Sequence, residues 1–178
     1  MQTYPIGLPK ALFPSLFVLL FTGCLNSTSI DHSIPVEQVG PLHPVDGEGL
    51  RAMVAQHQGN VILVDFWATW CGPCVHSFPH TVELSHKYGK QGLSVISVSM
   101  NDPEDSDDVL AFLAKHGADI ENCISADGGS QTAYEEFGVE GGIPFYRVYD
   151  RDGNEAHTFL GSTDGMEDLI EQLLAQLP

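Results

Sequence analysis

The chain has 178 residues, of which 43% are hydrophobic, and this size is typical of one folded domain with short attached segments. Asp and Glu number 24 against 7 Lys and Arg, which gives a formal net charge of -17. This balance argues against binding to nucleic acid, because a phosphate backbone requires basic patches and the sequence has none. The acidic residues predict a well-solvated surface, with attraction to a basic partner as the alternative.

The N-terminal segment has the pattern of an export signal. Lys10 precedes the apolar stretch ALFPSLFVLLF, which is followed by TGC and the polar run LNSTS. The stretch has the length of a signal peptide and is too short to span a bilayer comfortably. Two small residues directly before Cys24 resemble a bacterial lipobox, although Phe21 replaces the usual leucine or valine. This resemblance implies that residues 1–23 are removed and that Cys24 carries a lipid.

The expected product is therefore an exported lipoprotein, anchored to a membrane and facing the periplasm or another extracytoplasmic space. An ordinary secretory peptide or an uncleaved anchor is the alternative. Residues 24–45 lack apolar periodicity and contain Pro35, Pro41 and Pro44, so they predict an extended linker. A first strand within this segment is the alternative. The folded domain is predicted to occupy residues 46–178.

Apolar periodicity predicts alternating helices and strands within that domain. Strands are predicted at 61–67 and 93–99, followed by two strands around a turn at 152–154. The predicted helices are 49–58, 74–88, one that ends at Gly117, a short one at 130–137 and an amphipathic one at 164–174. This order predicts an α/β fold with a mixed sheet covered on both faces.

The segment TWCGPCVHS, Thr69 to Ser77, places Cys71 in the turn after a buried strand and Cys74 in the first turn of a helix. A disulfide across so short a gap closes almost no loop, so it would stabilise the fold only weakly. Unpaired N–H groups and the helix dipole favour a thiolate at the start of a helix. Cys71 is therefore the predicted nucleophile, and Cys74 is predicted to resolve the mixed disulfide.

The segment VILVDFWATWCGPC resembles the active-site strand and motif of thioredoxin, shared by exported thioredoxin-like reductases of the TlpA, ResA and CcmG type. The resemblance extends to Pro79 and to GGIPF, where Ile143 and Pro144 match the family's cis-proline loop. It covers roughly residues 49–177 and implies a thioredoxin fold. Residues 101–140 resemble the extra helix and strand of the TlpA-like branch.

The resemblance implies a protein-disulfide oxidoreductase that exchanges disulfides with exported client proteins and needs no cofactor beyond a Cys71–Cys74 disulfide. The Gly-Pro pair between the two cysteines resembles that of reducing members, so a reductase is expected. A membrane electron donor is expected to reduce the Cys71–Cys74 disulfide after each cycle. The residues expected to contact a client are Trp70, Gly72, Pro73, Ile143 and Pro144.

Asp65 stands in the strand before the motif, where thioredoxin keeps a buried aspartate. Its apolar neighbours predict burial and a raised pKa, which would suit it to accept the proton of Cys74. Many family members carry a glutamate where this chain has Ser77, so the acid–base role is expected to pass to Asp65. A structural, hydrogen-bonded carboxyl group is the alternative.

A metal-binding or copper-delivery protein is the alternative function. It would use Cys71, Cys74, His76 and His80, because the two histidines stand four residues apart on a predicted helix. No second pair of cysteines completes such a site. A partner-binding module without catalysis would require cysteines that do not cycle. Cys123 is predicted to be a small buried side chain, with a second redox centre as the alternative.

Overall fold

The computed structural model describes residues 1–3 and 33–176, so the predicted signal segment and Cys24 lie outside the described residues. No helix within these ranges is long and apolar enough to cross a membrane. The strands are β1 (His43–Val45), β2 (Val61–Trp67), β3 (Leu93–Ser99), β4 (Glu121–Ser125), β5 (Phe145–Tyr149) and β6 (Glu155–Leu160). The helices are α1 (Val36–Val39), α2 (Gly47–Gln56), α3 (Gly72–Tyr88), α4 (Ser106–Lys115), α5 (Gln131–Phe137) and α6 (Met166–Ala175).

The strands form one mixed sheet in the order β1-β4-β3-β2-β5-β6. The pairs β1/β4, β4/β3 and β3/β2 are parallel, whereas β5 is antiparallel to both β2 and β6. The carboxyl ends of β2, β3 and β4 therefore lie at the same edge of the sheet as the amino end of β5. Open α/β sheets usually bind their ligands at this edge. The loops at this end of the sheet include residues 68–71, 100–105, 126–130 and 141–144.

Both faces of β2 are buried, as expected for a strand at the centre of a sheet that helices cover on both sides. Ile62, Val64 and Phe66 join an apolar cluster that includes residues of α2, α4 and α5. Val61 and Leu63 point to the opposite face and pack with α6. Because side chains alternate along a strand, Asp65 lies on the same face as Leu63, in an otherwise apolar strand.

The predicted mixed sheet with helices on both faces is confirmed, and the predicted bounds of β2 and β3 match the structure. The helix predicted at 74–88 begins at Gly72 and contains Pro79 in its interior. Residues 101–140 form α4, β4 and α5, of which β4 was not predicted from periodicity.

The linker predicted for residues 24–45 is wrong at its C-terminal end, and the domain begins before residue 46. The Ile34 N–H donates a 2.8 Å hydrogen bond to the Ala114 carbonyl oxygen, and β1 pairs with β4. A three-residue strand that contains Pro44 is too short to produce an alternating pattern. Proline is tolerated there because β1 is an outermost strand of the sheet.

Candidate active site

Cys71 and Cys74 are joined by a disulfide at the start of α3. Cys71 is the residue that caps the helix, and its Sγ accepts a 3.3 Å hydrogen bond from the Cys74 N–H. Of the two residues, Cys71 is 7% exposed and Cys74 is 1% exposed. An incoming sulfur atom can therefore reach Cys71 more readily, and the free N–H groups of the first helical turn stabilise negative charge there.

The loop before β5 lies directly beside this disulfide. The Ile143–Pro144 peptide bond is cis, and the Ile143 carbonyl oxygen lies 3.7 Å from Cys71 Sγ. Pro144 is buried and Ile143 is half-buried, whereas Gly72 and Pro73 are exposed in the first turn of α3. The structure thus brings the two segments singled out in the sequence into contact across the edge of the sheet.

The loop that carries Trp70 is held in place by Asn101, a residue that sequence analysis missed. Asn101 is buried, its Oδ1 accepts a 2.9 Å hydrogen bond from the Thr69 N–H, and its Nδ2 donates a 2.7 Å bond to Thr69 Oγ1. The Met100 N–H donates to the Trp67 carbonyl oxygen at 2.7 Å. An asparagine two residues after the end of the apolar strand β3 was the available signal.

Asp65 is 1% exposed and lies beneath α3. Its Oδ2 accepts a 2.6 Å hydrogen bond from Thr81 Oγ1, while its buried Oδ1 has no hydrogen-bond partner among the described residues. Burial raises the pKa of Asp65 to about 7, and the Thr81 hydrogen bond opposes that rise. The carboxyl group can therefore exist in either protonation state near neutral pH, as a general acid or base requires.

The hydroxyl groups of Tyr146 and Ser77 form a hydrogen-bonded pair near Asp65. Its cross-strand partner in β5 is Tyr146, whose hydroxyl donates a 2.7 Å hydrogen bond to Ser77 Oγ. Ser77 in turn donates to the Cys74 carbonyl oxygen at 3.2 Å. Burial, together with the charge of Asp65, raises the pKa of Tyr146, so the phenol keeps its proton at neutral pH.

Cys74, Ser77 and Thr81 share one face of α3, because residues spaced by three or four positions lie above one another on a helix. This face carries the second cysteine together with the two hydroxyl groups that bond to Asp65 and Tyr146. Sequence analysis identified Ser77 only as a replacement and missed Thr81 and Tyr146. The helical spacing of the three residues was the available signal.

The residues proposed for a metal site do not form one in this part of the structure. Cys71 and Cys74 are bonded to each other, His76 is exposed, and His80 Nδ1 lies 3.9 Å from Glu83 Oε2. Within residues 1–3 and 33–176, no group of three or more His, Cys, Asp or Glu side chains could hold a metal ion.

Cys123 is a buried free cysteine whose Sγ lies 3.7 Å from Met53 Sδ. Burial raises the pKa of its thiol to about 12, so the thiolate that redox exchange requires is disfavoured. The prediction that Cys123 is a buried side chain is therefore confirmed.

Comparisons with known proteins agree with this geometry. The family model for redoxins matches residues 33–174. The thiol-disulfide oxidoreductase ResA of Bacillus thuringiensis (strain Al Hakam) is 25% identical over 159 residues, which cover 85% of this chain and 88% of that protein. ResA of Geobacillus thermodenitrificans (strain NG80-2) is 29% identical over 128 residues, which cover 72% of this chain and 70% of that protein.

Solved structures show the same fold. A candidate thiol:disulfide interchange protein DsbE from Chlorobium tepidum is 30% identical, with a TM-score of 0.53 over 68% of this chain and 82% of that chain. A thioredoxin-like protein, solved in solution in its oxidised form, is 24% identical, with a TM-score of 0.59 over 75% of this chain and 86% of that chain. The predicted thioredoxin fold is confirmed.

Proposed function

We propose that this chain, which belongs to the redoxin family, reduces disulfide bonds in client proteins outside the cytoplasm. Thiol–disulfide exchange through Cys71 and Cys74 is the activity that its relatives' names support. The observation that carries this function is the position of the disulfide. The sulfur atom of Cys71, the more exposed of the two cysteines, caps α3 and lies 3.7 Å from the carbonyl oxygen of Ile143, in the loop that would face a client.

The first step of the cycle begins from the reduced protein. The Cys71 thiolate attacks one sulfur atom of the client disulfide, and a bond forms between Cys71 and that sulfur. The client's other sulfur leaves as a thiolate and takes up a proton. The result is a mixed disulfide that joins Cys71 covalently to the client.

The second step releases the client. Cys74 loses its proton, attacks the Cys71 sulfur and displaces the client's remaining sulfur as a thiolate. We assign the proton of Cys74 to Asp65, whose pKa of about 7 suits a general base that acts through an intervening water. The client gains two electrons, and the protein is left with the Cys71–Cys74 disulfide that the structure contains.

A further cycle requires a donor that returns two electrons to this disulfide. We assign this role to a membrane-bound dithiol protein, because the apolar segment and the cysteine that follows it favour an exported, lipid-anchored chain. A Cys24→Ala variant should then leave the membrane fraction or remain unprocessed. Unchanged membrane association together with an unchanged mass would contradict the lipid anchor.

The direction of exchange is tested by a redox titration of the full chain in mild detergent. A reductase should have a reduction potential at or below the glutathione range, about -220 to -260 mV, and should catalyse insulin reduction by dithiothreitol. The Cys71→Ser/Cys74→Ser double variant is the control for background reduction. A potential near that of a strong oxidant, about -120 mV, would contradict a reductase. If the purified wild type instead retains metal in an amount equimolar with the protein and its thiols do not cycle, the metal-binding alternative is supported.

A further inference from the structure

Two adjoining cavities lie at the edge of the sheet that carries Cys71. The first has a volume of about 380 Å³ and is lined by Trp70, Met100, Asp102, Asp127, Gly129 and Ser130. The second has a volume of about 670 Å³, and its lining residues include Gly129, Tyr134, Glu135, Glu140, Gly141 and Gly142. The two cavities adjoin at Gly129, which lines both of them, and we call the pair the client groove.

Each cavity is lined by a residue that is adjacent in sequence to a residue at the reactive disulfide. Trp70 directly precedes Cys71, while Gly142 directly precedes Ile143, whose carbonyl oxygen lies 3.7 Å from Cys71 Sγ. Trp70 thus borders the first cavity, and Gly142 borders the second. A polypeptide that presents its disulfide to Cys71 would therefore lie close to both cavities.

Exposed apolar side chains border both parts of the groove. Trp70 is 59% exposed, and a Cβ placed on Gly129 would lie 3.4 Å from its ring. Leu160 is 54% exposed, and a Cβ placed on Gly141 would lie 2.7 Å from its Cδ2. Within the described ranges, only Met1 and Val36 are further large hydrophobic residues that are similarly exposed. Exposed aromatic and aliphatic side chains beside a cavity are typical of interaction surfaces.

The charges in the groove have one sign. Asp102 and Asp127 line the first cavity, Glu135 and Glu140 line the second, and all four are exposed. No lysine or arginine lines either cavity, and none of the ion pairs found within residues 33–176 includes these four carboxylates. On so acidic a chain, carboxylates alone would not mark a site. These four are distinguished by their position in a groove beside the redox centre.

We propose that the client groove selects polypeptide segments that carry Lys or Arg close to the reactive cysteine. The four carboxylates supply charge complementarity near Cys71, and Trp70 and Leu160 supply apolar contacts. This inference rests on the proposed function, since it concerns the substrate of the same disulfide. Complementary charges raise the rate of encounter and discriminate against partners of like charge.

The test measures second-order rate constants for the reduced full chain and a short synthetic peptide whose single cysteine is joined by a disulfide to cysteamine. Peptide versions differ only in the residues on both sides of the cysteine, which are Arg, Gln or Glu. Each exposed ion pair is worth up to a factor of about five, so with several carboxylates in the groove we expect the Arg peptide to react about tenfold faster than the Glu peptide at low salt. Added salt should reduce this ratio.

A variant that neutralises the groove, Asp102→Asn/Asp127→Asn/Glu135→Gln/Glu140→Gln, should bring the ratio close to one. The control for net charge is Asp119→Asn/Asp152→Asn, which removes two carboxylates outside the groove. These exposed residues precede β4 and follow β5, so they lie at the opposite end of the strands. The control should keep the wild-type ratio. Circular dichroism checks that both variants are folded.

Equal rates for the three peptides, or a ratio that survives in the groove variant, would overturn the inference. A ratio that falls equally in the control would also overturn it, because net charge alone would then explain the preference. If insulin is reduced and the peptides show no ranking, the proposed function stands and this inference fails. If neither insulin nor any peptide is reduced, both fail.

Discussion

Thr81 donates a 2.6 Å hydrogen bond to Oδ2 of Asp65 and so connects α3 to the carboxyl group buried beneath it. Both side chains are shielded from solvent, and the second carboxylate oxygen has no partner among the described residues. Thr81 lies two helical turns after Cys74, on the same face of α3. The acid–base chemistry proposed for Asp65 therefore depends on a hydrogen bond from the face of α3 that also carries Cys74.

Replacing Asp65 by asparagine should slow the release of the client. The variant keeps the shape of the side chain but removes the base that accepts the proton of Cys74. A positioned general base contributes about 10²- to 10⁴-fold, so the resolving step should slow by about that factor while the first attack by Cys71 keeps its rate. Single-turnover exchange with a model disulfide separates the two steps. A resolving rate equal to that of the wild type would make Asp65 a structural residue.

The same substitution should stabilise the protein increasingly as the pH rises. An unfolded chain ionises Asp65 above its ordinary pKa of 3.8, whereas the folded protein retains that proton up to about pH 7. Between these two pH values, ionisation of Asp65 therefore favours the unfolded state. A pKa shift of this size corresponds to about 4 kcal/mol in the free energy of unfolding. The gain in free energy of unfolding for Asp65→Asn should therefore be larger at about pH 8 than at about pH 4. Denaturant unfolding of the oxidised protein measures this difference, and a gain independent of pH would contradict it.

Removing the Thr81 hydroxyl should raise the pKa of Asp65 further. The Thr81 hydrogen bond favours the carboxylate, so Thr81→Val should move the pKa above about 7 and shift the pH dependence of the resolving step to higher pH. A carbon-detected NMR titration of the Asp65 carboxyl group measures the shift. Thr81→Ser retains the hydroxyl group and should restore the wild-type profile. Identical profiles for the valine variant and the wild type would show that Thr81 does not control Asp65.

The two cysteines should behave differently when changed singly. Cys71→Ser should abolish insulin reduction, because the sulfur atom that caps α3 makes the first attack. Cys74→Ser should instead accumulate mixed disulfides with client proteins, since the resolving thiol has gone. Non-reducing electrophoresis followed by mass spectrometry detects the trapped species. Equal trapping by both variants would contradict this division of roles.

Asn101→Ala should affect both stability and exchange. The substitution leaves the Thr69 N–H and hydroxyl without their partner, which costs about 1 to 3 kcal/mol for buried groups, and it loosens the loop that carries Trp70. Asn122→Ala is the matched control, because Asn122 is also buried and donates to the Ala118 and Ile120 carbonyl oxygens, each at 2.9 Å, away from the disulfide. Unfolding and exchange rates should show that both variants lose stability but that only Asn101→Ala exchanges slowly. If both variants slowed exchange equally, Asn101 would have no specific role at the active site.

Local patterns were sufficient to predict the central strands and the position of the disulfide. The apolar runs of β2 and β3 show that these strands are buried, and the segment between β2 and α3 places Cys71 at the start of a helix. Both features depend on residues that are neighbours in the sequence. For the same reason β1 was given only as an alternative to a linker, because its three residues become a strand only by pairing with β4, which lies about 80 residues further along the chain.

The sequence by itself determined the redox chemistry, since the cysteine pair, the strand before it and the helix after it are encoded within one continuous segment. Only the tertiary structure decided the surroundings of that pair. Asp65 acquires Thr81 and Tyr146 as neighbours because β2 packs beneath α3 and pairs with β5. The loops that form the client groove meet because parallel strands end at the same edge as the amino end of β5. Contacts of this kind depend on how distant segments pair and pack, and no local periodicity encodes them.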